Sequence, residues 1–96
     1  MRYEIDMAPE AVLDFKSLKP TIRAEVRESI ERYLRHEPTK VSKTRIKRLR
    51  GLTRPQYRLR VREIRIFYDV LDTMVEVLAI VEKSRADEWL QRHGEQ

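Results

Sequence analysis

Residues 57–68 read Tyr57-Arg58-Leu59-Arg60-Val61-Arg62-Glu63-Ile64-Arg65-Ile66-Phe67-Tyr68, and apolar and charged side chains alternate on both sides of Arg62-Glu63. Alternation with a period of two is typical of strands with one buried face. If the chain turns on Arg62-Glu63, both apolar sets fall on the same side of a hairpin. This register places Val61 opposite Ile64, Leu59 opposite Ile66 and Tyr57 opposite Tyr68. A shift of one residue would bury arginines, so the pattern specifies the register.

The other side of this hairpin is expected to carry arginines. The same register places Arg60 opposite Arg65 and Arg58 opposite Phe67. Like charges directly opposed on a sheet cost about 0.2–1 kcal/mol and do not help folding. A bound anion explains them, because a guanidinium group offers paired donors to phosphate oxygens. For Phe67 two interpretations remain. The ring can pack in the core under a C-terminal helix, which is the commoner role of such a residue, or it can form an aromatic platform for bases.

The segments around this hairpin predict an α+β fold. Residues 2–7 alternate as a short strand, and Pro9 suits the first turn of a helix that breaks at Lys19-Pro20. A second helix with an apolar stripe follows and ends at Pro38. Ile46 and Leu49 indicate a short strand before Gly51. We therefore expect an N-terminal helical hairpin that covers one side of a sheet.

The C-terminal third predicts a further strand and helix. Residues 75–81 follow the turn signal Asp72-Thr73, so residues 56–81 form a three-stranded antiparallel meander whose later strands are apolar on both faces and central in the sheet. Ser84, with Asp87 three residues later, is expected to cap a last short helix by accepting a hydrogen bond from a first-turn amide. Gly94 is expected to close that helix.

Length and composition restrict the possible functions. The chain has 96 residues, no cysteine and two histidines, so it has room for one domain and lacks the ligands of a thiolate zinc site or a self-sufficient metal cluster. We therefore expect chemistry without a metal or another cofactor. No apolar run reaches the length of a membrane span, and the N-terminus lacks a signal-peptide block. We expect a cytoplasmic protein that does not bind membranes.

The positive charge is concentrated in residues 40–65, which hold eleven basic side chains against one acidic residue, Glu63. Because the net charge of the whole chain is +5, the remainder is acidic. A division of this kind predicts a polyanion-binding surface, the alternative being a solvated basic face. The candidates for contact with a polyanion such as a nucleic acid are the basic residues Lys43, Arg45, Lys47, Arg48, Arg50 and Arg62, with Phe67 as the aromatic platform.

Proton transfer requires other residues, because arginine does not lose its proton in proteins. The proton carriers expected near the sheet are Lys47, Lys83, His93 and Glu63, and Lys83 is favoured among them.

Three segments resemble a known family. Leu49-Arg50-Gly51-Leu52, Tyr57-Arg58-Leu59-Arg60-Val61 and Arg65-Ile66-Phe67-Tyr68 are similar to the RelE toxins of bacterial toxin–antitoxin systems, within the RelE/ParE superfamily. The resemblance extends over essentially the whole chain. It implies a single RelE-like toxin domain over residues 1–96, with a small mixed, mainly antiparallel sheet, two N-terminal helices and a C-terminal helix, the microbial ribonuclease fold.

The resemblance also implies an activity. Such toxins enter the ribosomal A site and cleave mRNA without a metal, by attack of a ribose 2′-hydroxyl on its own phosphodiester, which inhibits translation. Arg58 and Arg60 occupy the positions of basic catalytic residues, and Arg65 that of a phosphate-contacting arginine. Lys83 or Arg85 is expected to supply the charge of the C-terminal motif.

The sequence departs from the family pattern at three places. Arg58 and Arg60 replace lysines, one of which is proposed as the general base in typical members. Arg62-Glu63 replaces the usual Gly-Asp of the hairpin. In the C-terminal motif Ser84 stands at the arginine position and Leu90 at the position of an aromatic hydroxyl residue. Two alternatives therefore stay open, a ParE-like inhibitor of DNA gyrase and a catalytically weakened toxin homologue that binds RNA or the ribosome.

The resemblance implies partners as well. We expect mRNA and the ribosomal A site as targets. We also expect an acidic antitoxin, RelB-like or Phd/YefM-like, whose disordered segment folds across the helices and the basic sheet face. The toxin alone is expected to be a monomer, and the complex with the antitoxin a hetero-oligomer.

Overall fold

A computed structural model describes residues 1–96 and contains three helices and one five-stranded sheet. In chain order the elements are β1 (Glu4–Met7), α1 (Pro9–Ser17), α2 (Pro20–Ser29), β2 (Ile46–Arg48), β3 (Tyr57–Val61), β4 (Ile64–Leu71), β5 (Met74–Glu82) and α3 (Lys83–His93). This element order confirms the predicted α+β fold. None of the helices is both long and apolar enough to cross a membrane.

The sheet is mixed, with the strand order β1-β5-β4-β3-β2. β1 runs parallel to β5, and all other neighbours are antiparallel. The two apolar strands β4 and β5 occupy the interior of the sheet, as their composition predicts. Both strands are buried over most of their length, because helices cover both faces there.

The predicted hairpin register is confirmed. Leu59 lies opposite Ile66 and Arg60 opposite Arg65 in the pairing of β3 with β4. Arg62 adopts a φ of 53°, in the left-handed region, so the two strands connect through a tight turn. Between β4 and β5 the pairing contains an irregularity at Leu78, an extra residue that the sequence pattern does not reveal.

The two N-terminal helices cover one face of the sheet. Both helices begin with a proline, Pro9 and Pro20, because the missing amide hydrogen is not needed in a first turn. Their buried side chains pack against Leu59 and Ile66, while α2 continues into a π-helical turn over Ile30–Leu34. The main core therefore lies between these helices and the sheet.

A buried tyrosine ties the loop after α2 to this core. The Tyr68 hydroxyl donates to the carbonyl oxygen of Pro38 over 2.6 Å, and both residues are fully buried. Burial raises the pKa of Tyr68, and the nearby Tyr57 hydroxyl raises it further. The Tyr57 and Tyr68 rings also stack, with centroids 5.5 Å apart. This contact fixes the start of the basic segment relative to the sheet.

The C-terminal helix α3 covers part of the opposite face. Ala86 and Trp89 pack on a second cluster that includes Phe67 and Ala79. The predicted Ser84 cap is wrong, because the helix begins at Lys83, two residues earlier than a Ser84 cap would require, and no side chain caps it. The Lys83 amide instead donates to the carbonyl oxygen of Glu63 over 2.7 Å. Gly94 closes the helix as predicted.

One edge of β5 is only partly covered. β1 pairs with Met74–Val77, which leaves the second half of β5 without a strand neighbour on that side. There the amide of Ile80 donates to a carboxylate oxygen of Asp14, at 2.9 Å. A side chain of α1 therefore satisfies a backbone group that a strand would otherwise pair.

Candidate functional site

The sheet face opposite α1 and α2 carries the basic side chains of interest. Because side chains alternate along a strand, Leu59 and Val61 point to the main core while Arg58 and Arg60 point away from it. Cross-strand pairing adds Arg65 beside Arg60 and Lys47 beside Arg58. We call these four residues, Lys47, Arg58, Arg60 and Arg65, the arginine face.

Arg58 lies at the centre of the arginine face and is half-buried. Its Nε atom is shielded from solvent and has no hydrogen-bond partner. Burial lowers the pKa of Arg58, and the charges of Arg65 and then Arg60 lower it further. A buried donor without a partner destabilises the fold. Arg58 also carries a positive charge that no carboxylate of the protein compensates.

Arg65 is more enclosed than the strand pattern predicts. Only 6% of the residue is exposed, and its Nη1 atom donates to the carbonyl oxygens of Arg62 (2.8 Å) and Ile64 (3.0 Å). Burial lowers the pKa of Arg65, as does the charge of Arg60, while Glu63 opposes them. The other N–H groups of its guanidinium make no hydrogen bond within the protein. Arg65 thus combines a fixed position with free donors.

Arg60 completes the group as its most exposed arginine. Neither Arg60 nor its neighbours Arg58 and Arg65 form an ion pair with a carboxylate. Positive charges on adjacent strands repel one another when no carboxylate compensates them. A bound oxyanion would attract all three arginines and so offset this repulsion. The arrangement can bind a phosphate and stabilise additional negative charge on it, and it contains three groups that cannot transfer a proton.

Three of the predicted RNA contacts lie on the helix side of the sheet. Arg62 pairs with Glu25 of α2 through its Nε atom. Arg45 lies over the ring of Tyr33, with its Cζ atom 4.3 Å from the ring centroid. Both side chains therefore turn toward the helices, because an acid and an aromatic ring are available there.

Arg48 is the third of these. It sits opposite Tyr57 on the helix side of the sheet, with its Cζ atom 5.2 Å from the ring centroid. Its guanidinium also donates to the carbonyl oxygen of Gln56 over 2.7 Å. Lys43 and Arg50, by contrast, are exposed in loops and have no ion-pair or hydrogen-bond partner through their side chains. They stay predictions as peripheral RNA contacts.

Phe67 is a correction among the predicted RNA contacts. The residue is fully buried, and its ring stacks on Trp89 of α3 with centroids 5.0 Å apart. The ring face that a base would need is occupied by the indole. The core interpretation of Phe67 is therefore confirmed, and the interpretation as a stacking platform is wrong.

The two C-terminal candidates lie apart from each other. Lys83 is exposed at the first position of α3, beside the turn that joins β3 to β4. Arg85 lines a groove between α1 and α3, together with Asp14 and Trp89. Lys83 is therefore at the turn end of the sheet, whereas Arg85 lies at the groove beside the N-terminal helix.

Sequence reasoning missed a clamp that holds the loop between β2 and β3. The buried carboxylate of Asp69 accepts from the Gln56 amide (2.8 Å) and pairs with Arg54 (3.1 Å). Arg54 also pairs with Glu76 over 2.9 Å and shares backbone hydrogen bonds with Glu95. The available signal was Asp69 itself, an acid inside the otherwise apolar end of β4, which requires a buried partner. The clamp fixes the loop that leads into Arg58.

Comparison with known proteins identifies structural relatives. No protein-family model matches the chain, and neither does any curated protein sequence. A chain of the RelBE2 toxin–antitoxin complex from Mycobacterium tuberculosis superposes with a TM-score of 0.74 at 27% identity, over 85% of this chain and 99% of that chain.

Two further structures extend the comparison. A mutant of the E. coli toxin RelE in the free state gives a TM-score of 0.73 at 20% identity, over 97% of this chain and 99% of that chain. A chain of the YoeB–YefM complex from Staphylococcus aureus gives a TM-score of 0.64 at 19% identity, over 83% of this chain and 95% of that chain. The five-stranded mixed sheet with three helices, together with these superpositions, shows that the chain has the RelE-like toxin fold.

Proposed function

We propose that this protein is the toxin of a type II toxin–antitoxin system and cleaves mRNA on the ribosome. The observation that carries the proposal is the group of three arginines, Arg58, Arg60 and Arg65, on one sheet face without a carboxylate partner. The structural relatives add support, since they are RelE and YoeB toxins, several of them in complexes with RelB or YefM antitoxins.

The chemistry follows from the arginines. A phosphodiester placed on the arginine face would accept hydrogen bonds from guanidinium N–H groups of Arg58 and Arg65, and it would lie near the charge of Arg60. Attack by the adjacent ribose 2′-hydroxyl produces a pentacoordinate transition state with more negative charge on the phosphoryl oxygens. Preorganised cations stabilise that state more than the ground state, which accelerates cleavage.

The partner in this proposal is an acidic antitoxin of RelB or YefM type. Eleven basic side chains lie in residues 40–65. All of them except Arg58 and Arg65 are exposed. A disordered acidic segment that folds across this surface would neutralise the charge and cover the arginine face. The free toxin would then be released only when the antitoxin is removed.

Primer extension on a reporter mRNA with purified ribosomes tests the activity. We expect cuts at defined codon positions when the protein is added, and none without ribosomes. Arg58→Gln combined with Arg60→Gln should abolish the cuts. A matched pair on the helices, Arg27→Gln with Arg32→Gln, should leave them intact. Wild-type protein that arrests growth without producing any cut would exclude the nuclease and favour gyrase inhibition.

A second candidate is a non-catalytic RNA- or ribosome-binding homologue. Two departures from the family pattern favour it. Arg58 and Arg60 stand where typical members have lysines, and Leu90 stands where they have an aromatic hydroxyl residue and packs on the core cluster under α3. This function predicts ribosome binding that weakens steeply with salt, because neutralised phosphates release counterions. Binding without cleavage in the same primer-extension reactions would select it.

A further inference from the structure

The arginine face contains one group that can transfer a proton. Arginine keeps its proton throughout the physiological range, so Arg58, Arg60 and Arg65 act only through charge and hydrogen bonds. The fourth member, Lys47, carries an ammonium group, which can donate a proton and later recover it. Departure of an alkoxide from phosphorus is slow without such a donor.

Pairing of the strands fixes the position of Lys47. It lies directly opposite Arg58 in the antiparallel ladder of β2 and β3, and opposed Cα atoms in such a ladder are about 4.5–5.5 Å apart. Ile46 precedes it and is buried in the main core, so Lys47 projects from the other side of the sheet, as Arg58 does. Both residues therefore project side by side from the same sheet face, and Lys47 is exposed and free of any ion pair.

The other three proton carriers that the sequence suggests are not strand neighbours of Arg58. Lys83 and Glu63 are joined through the backbone at the turn between β3 and β4. His93 lies against Trp89, with ring centroids 5.1 Å apart, in the grooves between α1 and α3. The structure therefore does not favour Lys83, and Lys47 replaces it as the candidate.

We propose that Lys47 is the general acid of the cleavage reaction, an inference that rests on the proposed function. In this step the ribose 2′-oxygen forms a bond to phosphorus and gives its proton to water. The bond from phosphorus to the 5′-oxygen breaks, and that oxygen takes a proton from the Nζ atom of Lys47. The products are a 2′,3′-cyclic phosphate and a free 5′-hydroxyl, and the neutral amine regains its proton from solvent.

A substrate with a better leaving group tests this role. We would compare two ribosome-bound mRNAs, one natural and one with sulfur in place of the bridging 5′-oxygen at the cut position. A thiolate leaves without being protonated, because thiols are much more acidic than alcohols. The variants are Lys47→Arg, which keeps the charge, Lys47→Gln, and the control Lys19→Arg at the start of α2.

The expected pattern is specific. Lys47→Arg and Lys47→Gln should cleave the natural mRNA about 100-fold or more slowly than wild type, the lower range for loss of a general acid. Both variants should cleave the sulfur-containing mRNA at close to the wild-type rate, and Lys19→Arg should behave as wild type on both. Unchanged melting temperatures and ribosome affinities would show that the variants are folded and bind.

Two results would overturn the inference. Natural cleavage by Lys47→Arg at the wild-type rate would show that Lys47 transfers no proton. An equal loss on both substrates would show that Lys47 acts only in binding or positioning. If the wild-type protein cleaves neither mRNA, the proposed function itself fails. This outcome is distinguishable because the first two results both require cleavage by the wild type.

Discussion

Arg60 and Arg65 lie directly opposite each other across β3 and β4, and no carboxylate pairs with either of them. The contact is repulsive, and Arg65 is buried in addition, so the arrangement lowers the stability of the isolated protein. Such a contact is expected where the protein binds an anion. It links the stability of the fold to the occupancy of the site, with consequences that can be measured.

Replacement of Arg60 should stabilise the free protein. Arg60→Gln removes the repulsion with Arg65, which corresponds to about 0.2–1 kcal/mol, or a rise in Tm of about 1–8 °C for a domain of this size. RNA affinity should fall at the same time. Thermal denaturation and RNA titration would measure both quantities. Arg50→Gln, at an exposed loop residue without a partner, is the control and should leave the Tm unchanged; a fall in Tm for Arg60→Gln would contradict the repulsion argument.

Replacement of Arg58 should weaken the salt dependence of RNA binding. Arg58→Met preserves much of the side-chain volume and removes the buried, unpartnered Nε group, so stability should not fall. The slope of log Kd against log salt for a short single-stranded RNA should decrease by about 0.7, the value for one lost phosphate contact. Fluorescence anisotropy over a series of NaCl concentrations gives the slope.

The control for this experiment is Arg27→Met, since Arg27 lies on α2 over the ring of Phe15. Its slope should equal that of the wild type. A slope that is the same in Arg58→Met and in the wild type would mean that Arg58 does not contact phosphate.

The hydroxyl of Tyr68 should contribute to stability and not to binding. Tyr68→Phe removes the donor to the Pro38 carbonyl and leaves that buried acceptor unsatisfied, which costs about 1–3 kcal/mol. Tyr57→Phe is a matched control, because the Tyr57 hydroxyl donates no hydrogen bond within the protein and the stacking of the rings is retained. Chemical denaturation compares the two variants. Equal stability of both would remove the assigned role of the hydrogen bond.

Asp69 should make stability depend on pH in an unusual direction. Burial raises the pKa of Asp69 more than the Gln56 amide and Arg54 lower it. The folded protein therefore binds this proton more tightly than the unfolded chain does. The contribution of Asp69 to the free energy of unfolding then increases as pH falls through the raised pKa, and it levels off below the unfolded value.

The measurement is the free energy of unfolding of the wild type and of Asp69→Asn at neutral and mildly acidic pH. The asparagine does not titrate and keeps the acceptor for the Gln56 amide. The difference between wild type and variant should shift in favour of the wild type on acidification. A shift in the opposite direction would mean that the pairing with Arg54 outweighs burial.

Much of the sheet was predictable because local chemistry specifies it. Alternation on both sides of Arg62-Glu63 leaves one register that buries Leu59 and Ile66 together, and the structure has that register. The helix starts at Pro9 and Pro20 were likewise predictable from the restricted φ of proline. The start of α3 was not predictable in this way. The carbonyl oxygen of Glu63 accepts a hydrogen bond from the Lys83 amide, so the helix needs no side-chain cap there.

The candidate site was only partly predictable. A run of basic residues in a sequence does not indicate which partner each side chain contacts. In the folded protein, tertiary contacts hold some of the basic side chains of residues 40–65 on the helix side of the sheet and leave others on the arginine face. Glu25 attracts Arg62, and the ring of Tyr33 attracts Arg45, both from elements distant in sequence. Asp69 stands out as an acid in an apolar strand, but the sequence pattern does not identify Arg54 and Gln56 as its partners. Strand pairing, in contrast, does follow from pattern, so Arg58, Arg60 and Arg65 were brought together correctly.

The contact between Asp14 and Ile80 has a consequence for the behaviour of the free chain. An uncovered strand edge is a template on which another copy can add its own strand, and natural proteins place charges at such edges to prevent aggregation. The Asp14 carboxylate already holds the Ile80 amide, and its charge would be buried unpaired if a second strand docked there. The same residue that accepts the hydrogen bond of the Ile80 amide therefore protects this edge against self-association.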